Sequence, residues 1–226
     1  MFDTEAGRLC QILLDQQSVS PLLNLGSSTG QFRKVAKPHI QSRLFGPLEE
    51  SGVQVVHCDL KQADGVDLAL DILDPAAIDL LKPYGFRCIL LSNLLEHVRD
   101  RQQTADRCED IAGPGGLILV SVPSSFPYHA DPIDTGYRPS PRDLAGLFRR
   151  SRCLLAEELA GRTYKEQLKL RGSPVWRALV ATALWSLIAF ARPRSAVSRV
   201  HRWFWYSRPY RVSIALFQVT ETETRL

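Results

Sequence analysis

No Cys-x-x-Cys pair occurs in this 226-residue chain, and its five cysteines (Cys10, Cys58, Cys88, Cys108, Cys153) are odd in number. Zinc ribbons and a disulfide framework are thereby excluded. Cys58 and Cys88 sit in apolar runs and read as small buried residues, which fits a reducing, cytoplasmic setting. The start of the chain lacks a signal peptide's apolar core, and acids come early, at Asp3 and Glu5. No spanning helix is expected. The uncharged segment 178–191 has fourteen residues, where a crossing needs about 20. Repeats and low-complexity stretches are absent. So is a strong charge excess: the formal net charge is +4, which by itself is no footprint of nucleic acid.

What the chain does have is ordinary globular material: 45% hydrophobic and 23% charged residues, enough for one domain spanning 1–226. Residues 1–20 contain an amphipathic helix over 4–17, on Leu9, Ile12 and Leu13. Short apolar runs predict strands at 22–25, 53–57, 66–69, 88–91, 117–122, 154–159 and 212–220. Helical segments separate them, at 31–52 (interrupted by Pro38 and Pro47) and 99–111. Pro123 is expected to stop the fifth strand. Ser140-Pro141-Arg142-Asp143 reads as a helix start, with a capping Ser, Pro in the first turn and an acid beside it. This alternation predicts an α/β fold. It has a Rossmann-like, mostly parallel seven-stranded sheet, helices on both faces, and a helical insertion (162–208) before the last strand.

Ligands of such sheets bind beyond the carboxyl ends of the strands. The residues there are Gly26 to Gly30, Asp59, Asp71 and Ser92-Asn93, all small or polar and drawn from four strands. Three chemistries compete for the first loop, Asn24-Leu25-Gly26-Ser27-Ser28-Thr29-Gly30. A phosphate cradle needs a Lys that is missing. A serine nucleophile in Gly26-x-Ser28-x-Gly30 needs earlier strands to supply an oxyanion donor, and only one helix precedes residue 21. A nucleoside cofactor needs an acid at the end of the second strand, and Asp59 is there, although the dinucleotide pattern Gly-x-Gly-x-x-Gly is not met.

These residues resemble the class I S-adenosylmethionine-dependent methyltransferases over roughly 20–160. The family's acid-x-Gly-x-Gly-x-Gly loop stands here as Asn24-x-Gly26-x-Ser28-x-Gly30, with Ser27 inside it. Ser92-Asn93-Leu94-Leu95-Glu96-His97-Val98 is similar to the signature after the fourth strand. Tyr128-His129-Ala130-Asp131-Pro132-Ile133-Asp134-Thr135 is similar to a subset of bacterial members. The resemblance implies S-adenosylmethionine as cofactor, with Asp59 on the ribose, Asp71 and the Ile72 backbone at the adenine, and Ser92-Asn93 beside the methionine moiety. Asn24 replaces a carboxylate that the family uses near that moiety. His97 and His129 are the candidate bases. A related branch binds a divalent metal through Glu-x-x-Glu-His; Asn93-x-x-Glu96-His97 lacks the first carboxylate, so no metal is expected.

The implied activity is methyl transfer to a small-molecule, glycan or lipid-linked acceptor. A catalytically inactive cofactor-binding scaffold is the alternative reading, and a membrane-surface adaptor is another. The adaptor reading comes from the segment between Arg162 and Arg211, which has eleven Lys or Arg against one acid, Glu166, with Trp203, Phe204 and Trp205 interleaved. Such a segment suits an anionic membrane at the inner face. It equally suits a helix packed over the site with a basic rim.

Overall fold

The central strand is β1 (Leu22–Leu25), and around it lie β2 (Val55–Asp59), β3 (Leu68–Ala69), β4 (Cys88–Ser92), β5 (Leu117–Ser125), β6 (Ser151–Thr163) and β7 (Pro209–Val219). The computed structural model describes residues 1–129, 133–170, 172–187 and 200–220. Among these residues the strands form one sheet of order β3-β2-β1-β4-β5-β7-β6. The first five pair in parallel, and β7 runs antiparallel to both β5 and β6. Strand order reverses between β1 and β4, which opens a crevice beyond their carboxyl ends.

Successive residues on a strand face opposite ways, and both faces are apolar. Leu22, Cys88, Leu90, Leu117 and Leu119 face α1 (Asp3–Leu14) through Leu9, Ile12 and Leu13, and α2 (Gly46–Glu50) through Leu48. Leu23, Leu25, Ile89, Leu91, Ile118 and Val120 face the other way. They meet Ile78 and Leu81 of α3 (Pro75–Leu81), Cys108 and Ile111 of α4 (Arg101–Ala112), and Leu144 of α5 (Pro141–Ala145). Cys10, Cys58, Cys88 and Cys108 are buried free thiols. Burial pushes the Cys58 and Cys88 thiols up to about 12, which removes both as nucleophiles.

Several boundaries differ from the sequence expectation, each for a local reason. β2 starts at Val55 because Val53 still closes the turn after α2, its N–H donating to Leu48 O at 2.9 Å. β3 keeps two residues because Val66 is spent in a turn onto Ala63 O. The 31–52 helix is broken into π-type turns at Phe32–Ala36 and Gln41–Phe45, with Pro38 between them. Pro47 instead sits in the first turn of α2, where a missing N–H costs nothing. β5 runs through Pro123 to Ser125. Its β4 neighbour has already ended, opposite Ser121, so only the β7 side is paired there. β6 is thirteen residues long, well beyond 154–159, because β7 pairs with it over most of its length. The capping box of Ser140 with Asp143 is present as expected.

Within the insertion lie α6 (Tyr164–Leu170) and α7 (Val175–Leu187). Residues 171 and 188–199, which include Arg171, Arg192 and Arg194, are outside the described residues. No helix among the described residues is long and apolar enough to cross a membrane.

Candidate functional site

The loop after β1 turns on Gly26, at φ +71°, where a Cβ would lie 2.7 Å from the Leu94 side chain. Ser28 also has a left-handed backbone, at φ +55°, a conformation that side chains other than Gly and Asn enter at a cost of about 1–2 kcal/mol. The cost is offset by a dense set of bonds. Ser27 N–H donates to Cys58 O at 2.9 Å, and Gly30 N–H to Asp64 O at 2.8 Å. The Ser28 N–H donates to Asp59 Oδ2 at 2.7 Å.

Arg33 completes this structure, and sequence reading missed it. It is 2% exposed. Its guanidinium donates to Ser27 O at 2.9 Å, Ser28 O at 2.8 Å and Gly65 O at 2.5 Å. The loop after β1 is thereby tied to the loop after β2. Their contact is so close that a Cβ on Gly65 would come within 2.6 Å of the Gly30 Cα. The only sequence signal was a single Arg three residues beyond the loop's last glycine.

The expected site residues fall around this loop as follows. Asp59 ends β2, partly exposed, its two oxygens accepting from Ser28 and Lys61 N–H groups. Asp71 is exposed and accepts from Leu73 N–H at 2.9 Å, while Ile72 beside it is buried. Ser92 ends β4, and Asn93 follows at φ +52°. Asn93 donates through Nδ2 to Glu5 Oε1 at 2.7 Å, and Ser121 Oγ donates to the same oxygen at 2.8 Å. Glu5 is fully buried on α1. The N-terminal helix therefore reaches the tip of β4 and the middle of β5, which its amphipathic pattern did not reveal. Asn24 is 4% exposed, and its amide faces His57 Nδ1 at 3.0 Å. Burial, with Arg33 nearby, lowers His57 to about 4, so this partner is neutral. A neutral amide matches a neutral ring in the very position where the family has an acid.

A second group of polar residues stands just past Asn93. Glu96 is 1% exposed, and neither carboxylate oxygen has a hydrogen-bond partner. Burial raises its carboxyl to about 7. The His97 Nε2 lies 3.9 Å from Glu96 Oε1, and its Nδ1 bonds the Ile133 carbonyl. The His129 ring is 5.3 Å from that of His97, edge-on, and its Nδ1 is 3.1 Å from Asp134 Oδ2. Two guanidinium nitrogens of Arg138 hold Asp134, at 3.1 and 2.6 Å. Burial opposes ionisation of Asp134, yet Arg138 and the N–H groups of His129 and Gly136 bring it down to about 2. Thr135 pins the loop to the Glu96 carbonyl through both its N–H and its hydroxyl. The structure thus joins His97 and His129 from segments 32 residues apart. Asp131 lies outside the described residues.

Farther along β5, Ser125, His201, Phe204, Trp205 and Arg208 line a cavity of about 280 Å³. Trp205 Nε1 donates to Ser125 Oγ at 2.9 Å, and Tyr128 N–H to His201 Nδ1 at 3.2 Å. The end of the insertion is thereby fastened to the loop that carries His129.

No family model matches this sequence, and no curated protein does. Solved structures match its fold. The [4+2]-cyclase SpnF aligns with a TM-score of 0.59 at 14% identity, over 96% of this chain and 81% of its own. A SAM-dependent methyltransferase from Archaeoglobus fulgidus aligns at 0.55 and 11%, over 96% and 94%. Coclaurine N-methyltransferase, bound to N-methylheliamine and S-adenosylhomocysteine, aligns at 0.54 and 14%, over 95% and 70%. Identities this low speak to architecture. Together with the sheet order, they show that this chain has the class I S-adenosylmethionine-dependent methyltransferase fold.

Proposed function

We propose that this protein binds S-adenosylmethionine across the tips of β1, β2 and β4 and transfers its methyl group to a small-molecule, glycan or lipid-linked acceptor. The observation that carries this reading is the meeting of the Gly26–Gly30 loop, Asp59 and Asn93 at one sheet edge, with Asp59 bonded directly to the loop. Asp59 retains lone pairs for ribose hydroxyls. Asp71 and Ile72 stand at the adenine end, and Ser92 and Asn93 at the methionine end, with Asn24 beneath. A sulfonium methyl is already activated. Holding donor and acceptor in line supplies most of the catalysis, up to roughly 10 kcal/mol.

The acceptor side falls to His97 and His129, and beyond them to the aromatic cavity at Ser125. Solved neighbours include both methyltransferases and a cyclase, so fold alone does not choose the reaction. Calorimetry decides the first half: S-adenosylmethionine and S-adenosylhomocysteine each bind the folded protein at one site. No heat with either overturns the reading. Binding without turnover on hydroxyl and amine acceptors favours the inactive scaffold, which the neutral Asn24–His57 pair allows.

The insertion supports a cytoplasmic protein resting on a membrane face. Trp176, Leu179, Val180 and Leu184 form an exposed apolar stripe along α7, and Phe204 is exposed as well. Arg177 lies on the same helix, and Arg202 and Arg208 bracket Phe204 in the sequence, a composition suited to anionic headgroups. The protein floats with phosphatidylserine-containing vesicles at low salt and is released at high salt. Failure to float at low salt removes the membrane role and leaves the stripe to some other contact.

A further inference from the structure

The Glu96 carboxylate presents an unusual combination. It is almost completely removed from water, and none of its oxygens receives a hydrogen bond. Burying an unpaired carboxylate costs several kcal/mol, so such a group needs either a proton or a cation. The surroundings favour the cation. One candidate ligand atom from each of Glu96, His97 and His129 lies within 4.8 Å of the other two. Around a bound first-row ion, ligand atoms at about 2.0–2.2 Å from the metal stand roughly 3–3.5 Å apart. Small side-chain adjustments would close the set.

One of the two imidazoles is also oriented from behind. His97 donates through Nδ1 to the Ile133 carbonyl, which leaves the Nε2 lone pair directed to Glu96. His129 Nδ1 lies 3.1 Å from Asp134 Oδ2 without a hydrogen bond between them, and Arg138 fixes that carboxylate. A carbonyl partner behind a histidine ligand belongs to the outer layer that metal centres use to set tautomer and direction.

We propose that Glu96, His97 and His129 form a binding site for a divalent transition ion, Zn²⁺ in first place. The donor set of two imidazole nitrogens and one carboxylate suits Zn²⁺ and leaves a coordination position open. This inference rests on the methyl-transfer reading for its purpose but not for its existence. In that reading the open position takes a hydroxyl of the acceptor and makes it more acidic. The hydroxyl proton leaves to solvent. The oxygen forms a bond to the methyl carbon as the S–CH₃ bond breaks, and the electron pair of that bond stays on sulfur, giving S-adenosylhomocysteine. The acceptor class is then an alcohol, as on a sugar ring, rather than a thiol or carbon. The histidines act as ligands instead of as free bases.

The test is titration of chelator-stripped, full-length protein with Zn²⁺ by calorimetry, with metal content measured on protein as purified. One equivalent binds the wild type. Glu96→Gln and His129→Ala each weaken binding at least tenfold, whereas Cys153→Ser, an exposed thiol on β6 at the opposite end of the sheet, leaves it unchanged. Glu96→Gln keeps size and burial, so it tests the ligand without opening a hole, and melting curves confirm the fold of each variant. No zinc binding by the folded wild type overturns the site, as does binding that survives both cluster substitutions. The same stripped protein titrated with S-adenosylhomocysteine reads the cofactor edge separately. Loss of one reading is thus distinguished from loss of the other.

Discussion

Replacing Asp59 with alanine weakens S-adenosylmethionine binding about 30- to 100-fold and leaves the protein folded. The expectation follows from what the carboxylate does on both sides. Toward a bound nucleoside it offers ionised acceptors to two ribose hydroxyls, and hydrogen bonds to a charged group contribute about 1.5–3 kcal/mol. Toward the protein it accepts from the Ser28 N–H at 2.7 Å, and so helps hold the loop on which the cofactor would lie. Some of the lost affinity therefore comes from a loosened loop. Asp59→Asn separates the two contributions: it keeps one acceptor for the loop but loses the charge, and falls between wild type and alanine. Calorimetry with the cofactor and its demethylated product measures both. Unchanged affinity in Asp59→Ala, with an unchanged melting curve, would remove this residue from the site.

Arg33→Leu lowers the stability of the whole domain by about 3–5 kcal/mol, the range for breaking one side of a buried charged arrangement. The guanidinium is the donor for the carbonyls of Ser27, Ser28 and Gly65, all at the junction of two loops. Leucine fills part of the volume but leaves the Ser27 and Gly65 carbonyls without the Arg33 donor, and Ser28 O with only the Ser27 hydroxyl. Arg33→Lys recovers less than half of the loss, because one ammonium on a flexible stem does not reproduce a planar fork bonded to three carbonyls. Urea unfolding measures the change. A loss under about 1 kcal/mol would mean that the loops hold their shape by their own backbone bonds. Because the loops carry Ser28 and Gly30, cofactor affinity falls together with stability in this variant, unlike in Asp59→Ala, where the two separate.

Much of the architecture was legible in the residues. Alternating short apolar runs and helical stretches gave the strand count, and the small or polar residues at four strand ends marked the edge that the topology then assembled. The sequence is least informative where local signals are weakest. In the sequence Pro123 reads as a stop, but strand ends depend on which neighbour is still present. Pro38 and Pro47 look alike in the sequence, although one separates two turns and the other opens a helix.

The sequence by itself determined the period of each element, the turn chemistry between them and the polar character of the strand ends, because these depend on residues close together in the chain. Only tertiary structure decided that Arg33 bolts two loops together, that Glu5 reaches the tip of β4 and the middle of β5, and that His129 comes to stand beside Glu96 and His97. Each of these depends on how the chain closes on itself. Whether a buried acid or cation finds a partner is settled by distant segments, and no local pattern encodes that meeting.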